Sequence, residues 1–256
     1  MKKTALLAVA LATCLGYVPA QAAEVVSSNI VGYNKITLTP GYNMLGGMFV
    51  QVGGDAKTID TVFTDNTIFV AGESADEADT IMFWNGNGYT DFIYSSDAAD
   101  DNAEANWASG EDTFTPADLD IARTDGFWFY KRGSETTAVL AGEVANDDKT
   151  VEVVAGYNMI ANPFAAALPL KNLVASTSFV AGESADEADT IMVWNGSGYN
   201  DYIYSSDAAD DNADANWASG EDTFTPVDFS IDPGHAFWFY RRGSKMTLTI
   251  SSPIQL

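Results

Sequence analysis

The sequence predicts an all-β protein made of two homologous antiparallel β-sandwich or barrel-like units packed in tandem. Three observations carry that expectation. First, 51 of the 65 positions in 69–133 recur at 179–243, so one unit is written twice. Second, each copy is a series of short apolar and aromatic runs separated by Gly, Asn and Asp turns, with no long amphipathic helical period. Third, 46% of the residues are hydrophobic and 12% aromatic, which is enough for each copy to bury a core of its own.

The N-terminus reads as a leader. Lys2 and Lys3 precede an apolar run from Thr4 to Leu15, and Ala20-Gln21-Ala22 is a small-x-small cleavage pattern. Residues 1–22 are therefore expected to be a signal peptide, 23–140 the first β repeat and 141–256 the second. Export places the mature chain in the periplasm or outside the cell. Cys14, the only cysteine, falls in the leader. Ordinary cleavage leaves no thiol and no disulfide, and a lipoprotein anchor at Cys14 is the lesser reading. No later run reaches membrane-spanning length.

Removing Lys2 and Lys3 leaves 10 basic residues against 36 acidic ones, a net charge of 10 − 36 = −26. Such a surface repels nucleic acid and anionic lipid and attracts divalent cations.

Taken in order, Ile36-Thr37-Leu38-Thr39 alternates as a half-buried strand, and Pro40-Gly41 turns it into the next one, starting at Tyr42. The second copy repeats this through Val151–Val154, Gly156 and Tyr157. One or two helical turns are expected over 55–63 and 168–174. Ile81-Met82-Phe83-Trp84 and the run from Tyr89 to Tyr94 flank Asn85-Gly86-Asn87-Gly88, a hairpin signature repeated around Asn195-Gly196-Ser197-Gly198. The acidic segment 95–111 has no strand period. Phe127-Trp128-Phe129-Tyr130 is an aromatic strand with Phe on one face and Trp and Tyr on the other, repeated at Phe237-Trp238-Phe239-Tyr240. Residues 136–140 and 246–250 close the two units as strands.

The string Gly156-Tyr157-Asn158-Met159-Ile160-Ala161-Asn162-Pro163-Phe164, the Trp194-Asn195-Gly196 hairpin and Gly234-His235-Ala236-Phe237-Trp238 together resemble a tandem-repeat β module of secreted and surface proteins of environmental bacteria. The first copy departs from the pattern, with Leu45-Gly46-Gly47-Met48-Phe49 in place of Ile-Ala-Asn-Pro-Phe. The resemblance implies a non-catalytic β module and brings no active-site residues with it.

Two features carry candidate chemistry. Asp100, Asn102, Glu104 and Glu111, with Asp210, Asn212, Asp214 and Glu221 in the second copy, have the spacing of a twelve-residue calcium loop. Ala105 and Ala215 stand where such a loop carries glycine. A solvated acidic loop explains the same residues, so calcium binding and plain solvation both stand. Trp84, Tyr89, Trp194 and Tyr199 flank the hairpin turns and could stack on a sugar ring; packing explains them as well. The Trp128/Tyr130 and Trp238/Tyr240 faces carry the same two readings.

Enzyme constellations are thin. His235 is the sole histidine and faces Asp125 in the alignment of the copies, so a histidine-based triad could exist in one copy only. The expected function is a structural or adhesion-type protein of the surface or extracellular matrix, whose partner is itself or an extracellular polysaccharide, with calcium as the one expected cofactor. A carbohydrate-binding module is the alternative, and a glycoside-acting enzyme the second alternative.

Overall fold

The computed structural model describes residues 30–52, 54, 56–99, 104–209 and 215–254, and the expected leader at 1–22 lies outside them. The fold is all-β, in several antiparallel sheets, and among the described residues helix is limited to two single 3₁₀ turns, Ile59–Thr61 and Leu170–Asn172. Those turns fall inside the two stretches expected to be helical.

Among the described residues, ten strands come from the first half. They are β1 (Val31–Leu38), β2 (Gly41–Gly46), β3 (Ala56–Thr58), β4 (Thr80–Trp84), β5 (Tyr89–Ser95), β6 (Asn106–Ser109), β7 (Asp112–Pro116), β8 (Asp120–Ala122), β9 (Gly126–Lys131) and β10 (Thr136–Glu143). The second half supplies β11 (Lys149–Val153), β12 (Gly156–Ala161), β13 (Leu168–Pro169), β14 (Leu173–Ala175), β15 (Thr190–Trp194), β16 (Tyr199–Ser205), β17 (Asn216–Ser219), β18 (Ser230–Ile231), β19 (Ala236–Arg241) and β20 (Met246–Ile250).

Each half is built around one large sheet. In the first its order is β2-β9-β4-β5-β6-β7, and in the second β12-β19-β15-β16-β17. The aromatic strands β9 and β19 are thus interior strands, paired on both sides. Smaller sheets cover one face: β1-β10 and β3-β8 in the first half, β11-β20-β14 and β13-β18 in the second. β1 pairs with β10 and β11 with β20, so each opening strand closes on the last strand of its own half. β10 runs past position 140 to Glu143.

Alternation along the strands sorts the side chains into layers. Leu45, Ile81, Phe127 and Phe129 point into the first core, with Trp107, Ile121 and Leu140. Ile160, Ile191, Phe237 and Phe239 do the same in the second, with Trp217 and Leu248. Their neighbours in sequence, Met44, Trp128 and Trp238, face the other way and meet in a third buried cluster that contains residues of both halves. Trp128 and Trp238 are 6% exposed, so they are packed and not open platforms.

This third cluster is a seam between the two copies, and its contacts are reciprocal. The Trp84 indole N–H donates to the Tyr157 carbonyl at 3.0 Å, and the Trp194 indole N–H donates to the Tyr42 carbonyl at 3.0 Å. Trp84 meets Trp238 edge-on at 5.5 Å, and Trp194 meets Trp128 at 5.3 Å. Backbone bonds cross it twice, Gly46 N to Gly234 O at 3.0 Å and Ala161 N to Thr124 O at 2.9 Å.

The acidic segment differs from expectation. Asn106–Ser109 within it is a strand, β6, which pairs with β5 and carries the fully buried Trp107 into the core. One indole on a short strand outweighs the polar residues around it, and a pattern search over the whole segment averages that signal away.

Candidate functional site

The hairpins form as their turn residues dictate. Trp84 pairs with Tyr89 and Trp194 with Tyr199 across the loops, and Gly86 and Gly196 take φ of 99° and 98°. The Asn85 side chain accepts from the backbone N–H of Asn87 and Gly88, and Asn195 accepts from Ser197 and Gly198. Tyr89 and Tyr199 are thereby set at fixed points, 45% and 43% exposed.

Each tyrosine is braced by indoles of its own copy. Tyr199 accepts a hydrogen bond from the Trp238 indole at 3.3 Å, and its ring meets Trp194 edge-on at 5.3 Å. Tyr89 has the matching edge contact, with the Trp84 ring at 5.3 Å. Trp84 and Trp194 therefore belong to the seam, their N–H groups engaged with backbone, while the tyrosines beside them look outward.

Beside each tyrosine runs a groove. The first-copy groove holds about 650 Å³ and is bordered by Tyr89, Asp91, Ser109, Gly110, Glu111 and the 73–75 loop. The second holds about 480 Å³, with Tyr199, Asp201, Ser219, Gly220, Glu221 and Ala185 at its edge. Gly110 and Gly220 keep the floor low: an added Cβ would stand 3.5 Å from the Asp91 Cβ and 3.3 Å from that of Asp201. Their N–H groups donate to the carbonyls of Asp91 and Asp201 at 2.9 and 2.8 Å, tying the β6 and β17 ends to the hairpins. Partial burial raises the Asp201 carboxyl above the ordinary range.

The expected site residues are thus redistributed. Tyr89 joins Glu111 in one groove, and Tyr199 joins Glu221 in the other. Glu104 is exposed, and Asp100, Asn102, Asp210, Asn212 and Asp214 lie outside the described residues. Among the described residues, no group of three or more His, Cys, Asp or Glu is placed to hold a metal. Asp91 and Asp201 went unremarked in the sequence because acidic residues are everywhere. The signal that could have found them is their place two residues after the tyrosine, on the same face of the hairpin strand.

A smaller cavity of about 260 Å³ opens on the seam, with Tyr42 and Thr39 from the first copy and Trp194 and His235 from the second. His235 has its Nδ1 3.3 Å from the Pro233 carbonyl, and its own carbonyl accepts from Asn162 N at 3.0 Å. Among the described residues no helix is long and apolar enough to cross a membrane. No family model, curated protein or solved structure matches this chain.

Proposed function

We propose that this chain is a non-catalytic, two-site binding protein that works outside the cytoplasm as a component of the cell surface or extracellular matrix. The observation that supports the reading is the groove that recurs on each copy, with the copies joined through a shared buried seam. Two equivalent sites on one body turn a weak contact into a strong one, because the second engagement is intramolecular. An acidic exterior keeps such a protein soluble and monodisperse until it meets its target. In this reading calcium taken up by the acidic stretches that begin at 100 and 210 stiffens the protein.

Fractionation of the producing cells, followed by immunodetection, tests the placement. The chain is expected in the surface or matrix fraction, released by a calcium chelator, with a melting temperature that rises when calcium is restored. Recovery in the cytoplasm would refute the placement, and an unchanged melting temperature would remove calcium from it.

A further inference from the structure

We propose that the twin grooves are binding sites for uncharged polysaccharide, one sugar face resting on Tyr89 or Tyr199 while the ring hydroxyls donate to the carboxylates of Asp91 and Glu111, or Asp201 and Glu221. The inference rests on the two-site binding reading and supplies its ligand class.

Four features of the grooves point to that class. Each has the volume of a small-ligand site and is open to solvent, so a segment of a longer chain can enter it. Among the described residues no Lys, Arg or His lines either one, and the Arg132 and Arg242 guanidiniums at the edge already donate to the Ala75 and Ala185 carbonyls, so phosphate, sulfate and uronate ligands find no free counter-charge there. An apolar ligand is equally disfavoured, because carboxylates and a serine hydroxyl share the lining and would lose their water without a partner. A neutral sugar offers what is left: an apolar C–H face for an aromatic ring and a row of O–H donors for acceptor-only carboxylates. The bracing of the tyrosine completes the argument. Held by an indole N–H at its hydroxyl and a second indole at its edge, the Tyr199 ring loses little freedom when a ligand stacks on it.

The raised carboxyl of Asp201 fits the same ligand. A carboxylate that has given up part of its hydration gains from each hydroxyl it accepts. Two grooves on one chain then bind a long polymer with avidity, or bridge two polymers.

Affinity electrophoresis of the full chain tests this, in native gels cast with neutral β-glucan, galactomannan or xylan, with anionic alginate, and with cationic chitosan. Retardation is expected in at least one neutral gel and not in alginate. Tyr89→Ala with Tyr199→Ala should abolish it, and either single change should weaken retention at least tenfold, because avidity is lost. Asp91→Asn with Asp201→Asn removes charge without touching the tyrosine braces. It should weaken retention at least tenfold while leaving the melting temperature unchanged. No retardation in any neutral gel, retardation confined to chitosan or alginate, or retention that survives both double variants would overturn the proposal. A chain found at the cell surface but not retarded by neutral polymer would remove this ligand class and leave two-site binding standing. A chain that is retarded but confined to the cytoplasm would keep this ligand class and remove the placement outside the cytoplasm.

Discussion

Asp79 and Asp189 are fully buried, and each is held by the aromatic strand of its own copy. Asp79 accepts from the Lys131 ammonium at 2.7 Å and from Val70 N at 3.0 Å; Asp189 accepts from the Arg241 guanidinium and from Val180 N at 3.0 Å. Removing one partner of such a pair strands a charge out of water, at a cost of about 3–5 kcal/mol. These are structural carboxylates, and they account for acidic residues that otherwise look like candidates for chemistry. Asp125 is the opposite case. Burial raises its carboxyl above the ordinary value, and the hydrogen bond from Ala122 N only partly opposes this. In the unfolded chain the same group ionises at the ordinary carboxylate pKa of about 4. Ionisation therefore favours unfolding as pH rises from that value through the higher folded one, and below it the effect is absent. Asp125→Asn keeps an oxygen for Ala122 N. It should raise the melting temperature at pH 7, with a gain that shrinks to nothing at pH 3, as a thermal-melt series across pH would record. A gain of equal size at every pH would disprove the assignment.

Strands and hairpins were legible because they depend on local chemistry. The Asn-Gly turns fix the β4–β5 and β15–β16 pairs, and the alternation of Phe with Trp and Tyr gives the faces of β9 and β19. What covers the Trp face was not legible, since a buried face and a stacking platform share the same residues. A clue lay in the departure of the first copy from the Ile-Ala-Asn-Pro pattern. Gly46 stands where the second copy has Ala161, and across the seam those two positions meet: a Cβ on Gly46 would lie 2.3 Å from the Ala161 Cβ. Gly126 repeats the arrangement, its added Cβ 2.8 Å from that of Ala236. Glycine in the first copy thus makes room for alanine in the second, and two identical second copies would collide at this point. Gly46→Ala should cost about 1–3 kcal/mol in denaturant melts, as an overpacked core does. Adding Ala161→Gly moves the methyl to the other side and should restore most of the loss. A double variant as unstable as the sum of the two single ones would refute the complementarity.

The grooves were the least legible part of the molecule, because they are made by the meeting of three segments. β5 brings Tyr89 and Asp91, the turn after β6 brings Glu111, and the 73–75 loop adds the third edge. Of these the tyrosine and Glu111 were visible in the sequence as separate candidates, for sugar and for calcium, and only the fold sets them side by side. The braces that aim the tyrosines are indoles of the seam, so site geometry and assembly of the copies rest on the same residues. That coupling makes a thermodynamic demand. Each copy has its own apolar core, yet neither can unfold without exposing Trp128 or Trp238 and leaving a cross-seam indole N–H without its carbonyl. Burial of two such rings and loss of two hydrogen bonds amount to several kcal/mol, comparable to the marginal stability of a domain. The two copies should therefore melt in one calorimetric transition whose van't Hoff enthalpy equals the measured enthalpy. Trp84→Ala with Trp194→Ala should uncouple the copies and split the transition in two. Two resolved transitions in the unaltered chain would mean that the seam contributes little, and that the tyrosines are aimed by each copy alone.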